Sequence, residues 1–469
     1  MTKTTRPGIF QPHLLTLAIA LGTAAPAQAV NFNIGEIEGQ LDSSLSVGAS
    51  WSMRSADPDL IGEANGGTGF TQTGDDGRLN FKKGETFSKI FKGIHDLELK
   101  YGDTGVFVRG KYWYDFELKD EHRLLYDIDD SNRKQAAQAS GAEILDAFVY
   151  HNYTVADQPG SVRLGKQVVS WGESTFIFNS INAINPVDAA AFRRPGAEIK
   201  EGLIPVNMFY VSQSLTDNLS MEAFYQLEWE QTVVDNCGTF FSVDVVQDGC
   251  VDRYAVQGSD LDPTGAAGYR YLGRLGDKDA RDSGQFGVAM RYMFEPLDTE
   301  FGAYFMNYHS RTPNLSMQNA NAADITAALT TLGGALAQPI LLGRGSYFLE
   351  YPEDIRLYGL SFSTTLPTGT AWSGEISYRP NAPVQLNTTD ILYAGLKDLG
   401  LTVAPGVVGA VPARGVRHGP DRGGVGLRAA VSPAGTARLC SNGSCGSREP
   451  ACLCPERRSA CDRSWKAKA

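Results

Sequence analysis

Residues 97–118 read LELKYGDTGVFVRGKYWYDFEL, and their alternation decides the fold. Leu97, Leu99 and Tyr101 alternate with Glu98 and Lys100. Gly102-Asp103-Thr104-Gly105 has the composition of a tight turn. Val106, Val108, Gly110, Tyr112, Tyr114, Phe116 and Leu118 then alternate with Phe107, Arg109, Lys111, Trp113, Asp115 and Glu117. A period of two, apolar on one face and charged on the other, is a β-hairpin signal.

The same period recurs outward from this hairpin. Ile37, Leu41, Leu45, Val47 and Trp51 alternate with Glu38, Gln40, Asp42, Ser44 and Ser46. Leu219, Met221, Ala223, Tyr225, Leu227 and Trp229 alternate with Ser220, Glu222, Phe224, Gln226, Glu228 and Glu230. Strands are also expected over Phe286–Phe294, from Phe301, from Tyr358 and from Trp372, making about twelve before residue 395. Short turns fall at 102–105, 156–160, 215–218, 295–299 and 366–369, and long connections at 55–80, 119–143, 231–283 and 310–345. Short turns at one end and long loops at the other characterise outer-membrane barrels. Strands of about 9–13 residues suit a tilted crossing of the hydrocarbon layer. Trp51, Tyr114, Trp229 and Tyr378 would sit at the lipid interface. A soluble β-sandwich also alternates, but it gives the loop asymmetry no role. The expected fold is all-β: an antiparallel transmembrane β-barrel with long extracellular loops and a lumen-filling segment, incomplete at its C-terminal end.

Composition agrees. The 469 residues include 51 Gly and 10% aromatics, as in a turn-rich β protein. A mean hydropathy of −0.22 is too polar for a bundle of apolar helices, and a net charge of −11 argues against nucleic acid as a partner. Residues 1–29 have a basic front (Lys3, Arg6), a short apolar core (Leu14 to Leu21) and a small-x-small ending, Ala27-Gln28-Ala29. They read as a cleaved signal peptide for export to the outer membrane. Outer-membrane lipid, the barrel-assembly machinery and an unidentified small-molecule solute are the expected partners. No cofactor and no metal are expected.

The lumen candidates are Arg109, Lys111, Asp115, Glu117, Glu222, Glu228, Arg193 and Arg194, whose charges would set the field in a channel. Asn185-Pro186-Val187-Asp188 reads as a helix start, and the helix is stopped by Arg193-Arg194-Pro195-Gly196. This segment is expected to fold into the lumen as a constriction holding Trp171, Glu173, Asn185, Asp188 and Glu198. Arg193 and Arg194 would pair there with Glu198 and Glu201, or hold an anionic head group. Cys237 and Cys250 are the disulfide candidate. The Asp-rich loop around them has no EF-hand or RTX spacing and reads as a solvated acidic loop. Residues 321–338 have helical apolar spacing and could cover the barrel mouth.

At GKQVVSWGES, INAINPVDAAAFRRPGAEIKEGLIPV, YPEDIRLYGLSFSTTLPTG and GEISYRPNAPVQLN the chain resembles the DUF1302 family of Gram-negative exported proteins. The resemblance runs from about residue 30 to about 400. It implies an outer-membrane β-barrel, related by pattern to porins and fatty-acid channels, and it supplies no catalytic residues. Passage of a hydrophobic or amphipathic small molecule is the function it suggests.

Residues 30–403 are therefore read as the barrel domain. From 404 to 469 the composition changes: nine Arg and two Lys face two Asp and two Glu, and Cys440, Cys445, Cys452, Cys454 and Cys461 crowd together. This tail reads as out-of-frame or disordered, and its Cys spacing matches no common zinc site. Six histidines (His13, His95, His122, His151, His309 and His418) are tied to no nucleophile, and no GxSxG, HExxH or phosphate-binding loop occurs. No enzyme is expected. A surface adhesin or structural protein with binding loops is the alternative, and a lipolytic barrel a more distant one.

Overall fold

A computed structural model describes residues 30–69, 73–173, 180–251, 253–255, 259–261, 271–318, 345–388 and 391, together with the backbone of 424–431. The segment read as a signal peptide (residues 1–29), the expected helix at 321–338 and the five tail cysteines lie outside the described residues.

The strands follow the hairpin pattern. The first are β1 (Val30–Ile34), β2 (Ile37–Trp51), β3 (Thr86–Tyr101), β4 (Thr104–Asp115) and β5 (Ser140–Val155). Next come β6 (Gln158–Gln167), β7 (Val206–Ser214), β8 (Leu219–Gln226), the short β9 (Gly273–Arg274), β10 (Phe286–Phe294) and β11 (Thr299–Tyr308). The last are β12 (Asn314–Gln318), β13 (Ser346–Glu350), β14 (Ile355–Thr365), β15 (Ala371–Arg379) and β16 (Gly424–Val431). Thirteen form one sheet in the order β1-β2-β3-β4-β5-β6-β7-β8-β10-β11-β14-β15-β16, an antiparallel meander. A second sheet, β12-β13-β9, is built from loop residues. Among the described residues no pairing joins β1 to β16, so the large sheet is not closed.

All five expected short turns connect sheet neighbours. Tyr101 faces Thr104 across the first, and Phe294 faces Thr299 across the fourth. Three expectations are corrected. Strand β4 stops at Asp115, because its carboxylate accepts the amides of Glu117 (3.0 Å) and Leu118 (3.3 Å) and caps a short helix, Phe116–Asp120. Strand β8 stops at Gln226, so Glu228 and Trp229 are loop residues. Trp229 is nearly buried, its ring nitrogen donating to the Ser310 carbonyl at 3.1 Å, and does not lie at an exposed rim. Within the stretch read as atypical, residues 424–431 pair antiparallel with β15, Leu427 opposite Ile376.

The chain divides into two compact units. The first holds the described residues up to Val149 together with Asp188–Leu203 and Val233–Tyr271; the second holds Tyr150–Val187, Ile204–Thr232 and the described residues from Leu272 onward. In each, one face of the sheet is covered by loop segments and the other is open. The open face is apolar. In the first unit it carries Leu41, Leu45, Val47, Phe91 and Val106; in the second, Val288, Met290, Tyr292, Phe301, Tyr358, Leu360 and Trp372. Leu45 is 63% exposed and Leu360 59%. No helix among the described residues is long and apolar enough to cross a membrane.

Candidate functional site: the covered faces of the sheet

In the second unit the covered face holds an apolar core, with polar side chains such as Gln226, Ser361 and Glu375 buried beside it. Met208, Tyr210, Phe224, Ala289, Tyr304, Met306, Tyr308 and Leu357 project from the strands. Val169, Trp171, Ile181 and Ile184, from the connection after β6, complete the core. Trp171 is fully buried, packed on Phe224 (5.1 Å between centroids), and its ring nitrogen donates to Glu222 at 2.7 Å. Two strand glycines make the room. A Cβ on Gly287 would lie 2.6 Å from the Phe224 ring and 2.9 Å from that of Trp171. One on Gly359 would lie 2.7 Å from Ile181.

Asn185 pins this cover. Its oxygen accepts the Val169 amide at 2.9 Å, and its amide donates to the carbonyls of Gln167 (3.1 Å) and Ile204 (2.9 Å). It is therefore a loop clamp and not the helix cap expected. Glu173 accepts from Ser361 at 3.3 Å while its backbone amide donates to Glu375 at 2.7 Å. Glu228 accepts both the backbone and side-chain amides of Asn207, at 2.9 and 2.8 Å. His309 donates to the Ser283 carbonyl and accepts the Asp354 amide, the bonding of a structural histidine.

In the first unit the expected pore charges lie on the covered face, and they are paired. Arg109 grips Asp96 through two bonds (2.7 and 2.8 Å) and reaches Asp146 at 3.1 Å. Lys111 meets Asp188 at 3.0 Å and Glu143 at 3.5 Å. Lys92, which sequence reasoning missed, meets Glu201 at 2.5 Å with both side chains almost fully buried. A covered cation without a carboxylate would be costly, so each lysine is matched. These bonds fasten the short helices Ala189–Arg193 and Ile199–Gly202 onto β3 and β4. Asp188, not Asn185, caps the first of them, accepting the Ala191 amide at 2.8 Å. Glu198 caps the second.

The expected pairing of Arg193 and Arg194 with Glu198 and Glu201 is also corrected. Arg193 pairs with Asp235. Arg194 donates to the Ala136 carbonyl at 2.7 Å and lies 4.6 Å over the Trp113 ring. Glu198 instead takes Lys200 (3.2 Å) and Ser44 (3.2 Å). Arg109, Lys111 and Arg193 are thus each paired with a carboxylate, legible in the sequence as charged but not as matched.

Glu117 lies in the capped helix and accepts from Lys89, Thr86 and Arg123, each at 2.5 Å. Burial works to raise its pKa, but these partners outweigh it and hold the carboxyl below its ordinary value. A depressed carboxyl contributes stability above the unfolded value of ~4.3 and loses it as pH falls through the folded one. Glu117→Gln is expected to cost about 1–3 kcal/mol at pH 7. The gap to wild type, measured by urea unfolding, should close below pH 4.

Cys237 and Cys250 are disulfide-bonded, as expected. Breaking this 13-residue spacing should cost roughly 3 kcal/mol, visible as a lower urea midpoint for Cys237→Ser/Cys250→Ser. The loop around them is not a solvated acidic loop. Asp244 is fully buried, accepting the Gly238 amide at 2.9 Å, and Asp235 is buried against Arg193. Asn80 and Arg133, from the two preceding loops, bond to Gly238 and Asn236. Asp75, Asp76 and Asp260 each bring one carboxylate oxygen within 4.8 Å of the others, a spacing that can hold a metal ion. Burial, then repulsion from Asp244, pushes Asp76 up to about 8.

A family model described as "Protein of unknown function (DUF1302)" matches residues 11–437, nearly the whole chain. No curated protein matches it.

Proposed function

The chain belongs to the DUF1302 family, and from that premise and the geometry above we propose that it is an outer-membrane β-barrel admitting a hydrophobic or amphipathic small molecule. The observation that carries this reading is the open face. Rows of Leu, Val, Met, Phe, Tyr and Trp are exposed along β2, β10, β11, β14 and β15, far beyond the single exposed apolar residues of a water-soluble surface. A lipid environment accounts for them, with short turns on one side of the layer and long folded loops on the other. Closure is the step this reading adds. Among the described residues β1 and β16 each leave one edge unpaired, and in lipid every unsatisfied backbone group costs several kcal/mol. The apolar core on the covered face of the second unit, built around Trp171 and its neighbours, supports an apolar or amphipathic solute in this reading.

Fractionation tests the location: the mature chain should sediment with outer membranes, and recovery in the soluble periplasm refutes the reading. Liposome uptake tests the passage: vesicles holding the protein should admit a small apolar probe faster than empty ones. A second reading, a surface protein that binds a partner through its loops, is favoured by the folding of the long loops of the first unit upon one another through Asn80, Arg133 and the disulfide. It predicts no uptake at all.

A further inference from the structure

We propose that a pocket at the long-loop rim of the first unit seats the headgroup of a phosphorylated glycolipid, whose acyl chains lie along the open face below. The pocket measures about 570 Å3, and its lining includes Trp51, Lys82, Glu85, Lys89, Glu121 and Arg123. That is room for a small organic group, more than a lone phosphate fills. The lining carries both signs of charge. Ammonium and guanidinium groups suit phosphate, and carboxylates accept from sugar hydroxyls, so a phosphorylated sugar matches this lining better than either part alone.

The phosphate would meet Lys82 and its neighbour Lys83. Both are exposed, and among the described residues no hydrogen bond or ion pair engages either side chain. The nearby Glu117 is already taken by Lys89, Thr86 and Arg123. The two lysines stand on a fixed turn. The Gly84 amide donates to the Ser52 carbonyl at 2.7 Å, the Ser52 amide to the Glu85 carbonyl at 2.9 Å, and the Lys82 amide to the Glu85 carboxylate at 2.8 Å. Gly84 is left-handed (φ 88°), a conformation that favours glycine. Phe81, just before the turn, is buried against Phe87 and Phe240. Charges held in place in this way leave a ligand less to order on binding.

Continuity with the open face selects a lipid over a dissolved phosphosugar. Trp51 ends β2, and Lys89 faces Ala49, two residues from Phe91, which faces Val47. The exposed row Leu45, Val47, Trp51 and Phe91 thus runs up to the pocket without a break. An aromatic ring with lysines just beyond it is the arrangement expected where hydrocarbon meets headgroups. The long loops of such a barrel face outward, toward the leaflet built of phosphorylated glycolipid. A dissolved phosphosugar would fill the pocket and leave the apolar row bare.

This inference rests on the outer-membrane reading and deepens it. The full chain, folded in detergent, is titrated with lipid A, an acylated glucosamine disaccharide bisphosphate, and bound lipid is counted by native mass spectrometry. One saturable lipid A per chain is expected, held more tightly than phosphatidylglycerol or the deacylated disaccharide and weakened by salt. Lys82→Ala/Lys83→Ala should weaken it about 10-fold or more. Lys100→Ala, near the short-turn end of β3, should leave it unchanged. Both rim lysines are exposed, so the double variant should keep the wild-type urea midpoint. Should it misfold, protection of Lys82 and Lys83 from trypsin by lipid A in the wild type takes its place. No saturable binding or no protection in the wild type, equal affinity in the folded double variant, or equal affinity for phosphatidylglycerol or the deacylated disaccharide overturns the proposal. Recovery of the chain in the soluble periplasm overturns the outer-membrane reading itself, whereas an outer-membrane chain that ignores lipid A overturns this inference alone.

Discussion

Replacing Trp171 with alanine is expected to destabilise the second unit by about 3–5 kcal/mol and to raise solute uptake in liposomes. The indole is fully buried among Phe224, Tyr304 and the backbone opposite Gly287. Gly287 cannot refill the space, so a cavity remains. The substitution also strips Glu222 of its 2.7 Å donor, leaving Arg291 at 3.6 Å and the Tyr210 hydroxyl. Trp171→Phe separates the two effects. It keeps most of the volume and should cost about 1–3 kcal/mol for the lost hydrogen bond. Urea unfolding gives the stability. Uptake of an apolar probe gives the second readout: if Trp171 belongs to a plug, the alanine variant passes more. Wild-type stability in Trp171→Ala would mean that the cover does not pack as described.

The second large effect is expected at Lys92. Its ammonium lies 2.5 Å from Glu201 and 2.7 Å from the Gly196 carbonyl, with both ionic side chains nearly inaccessible. Lys92→Ala strands the Glu201 carboxylate in a dry place and should cost about 3–5 kcal/mol. The double variant Lys92→Met/Glu201→Gln removes both charges. Its glutamine can still accept the Glu198 amide that Glu201 accepts at 3.1 Å. It should recover most of the loss, because a matched apolar replacement of a buried pair is often close to neutral. A double variant as unstable as the single one would show that the pair does more than neutralise itself.

The strands were legible because a half-covered strand writes its period of two into the sequence. Ile37 to Trp51 and Phe286 to Phe294 are the clearest cases. The short turns were legible for the same reason: Gly102 and the left-handed Asp298 sit where alternation breaks. The covered side was harder. Alternation distinguishes two faces but not what covers them, so Arg109 and Lys111 are legible as charges on one face but not as partners of Asp96 and Asp188. The pairing depends on residues 188–202 returning over β3 and β4, which no local pattern encodes. The signals for the cover were Gly287 and Gly359, strand glycines where a side chain from elsewhere needs room. The helix start was misplaced by three residues because Asn185 and Asp188 are both good caps, and only the packing assigns Asn185 to the loop.

Strand β10 reads FGVAMRYMF. Its open face needs grease, and its covered face is Gly287 and Ala289 against an indole. Apart from Arg291 and the Tyr292 hydroxyl, neither side offers a side chain that water would hold. While unpaired, such a ribbon is a template for its own kind. The hazard for the organism therefore precedes the finished fold. If the chain is exported as proposed, yield should depend on how quickly a periplasmic holdase takes the emerging chain, and on that escort's concentration more than on the equilibrium stability of the end product.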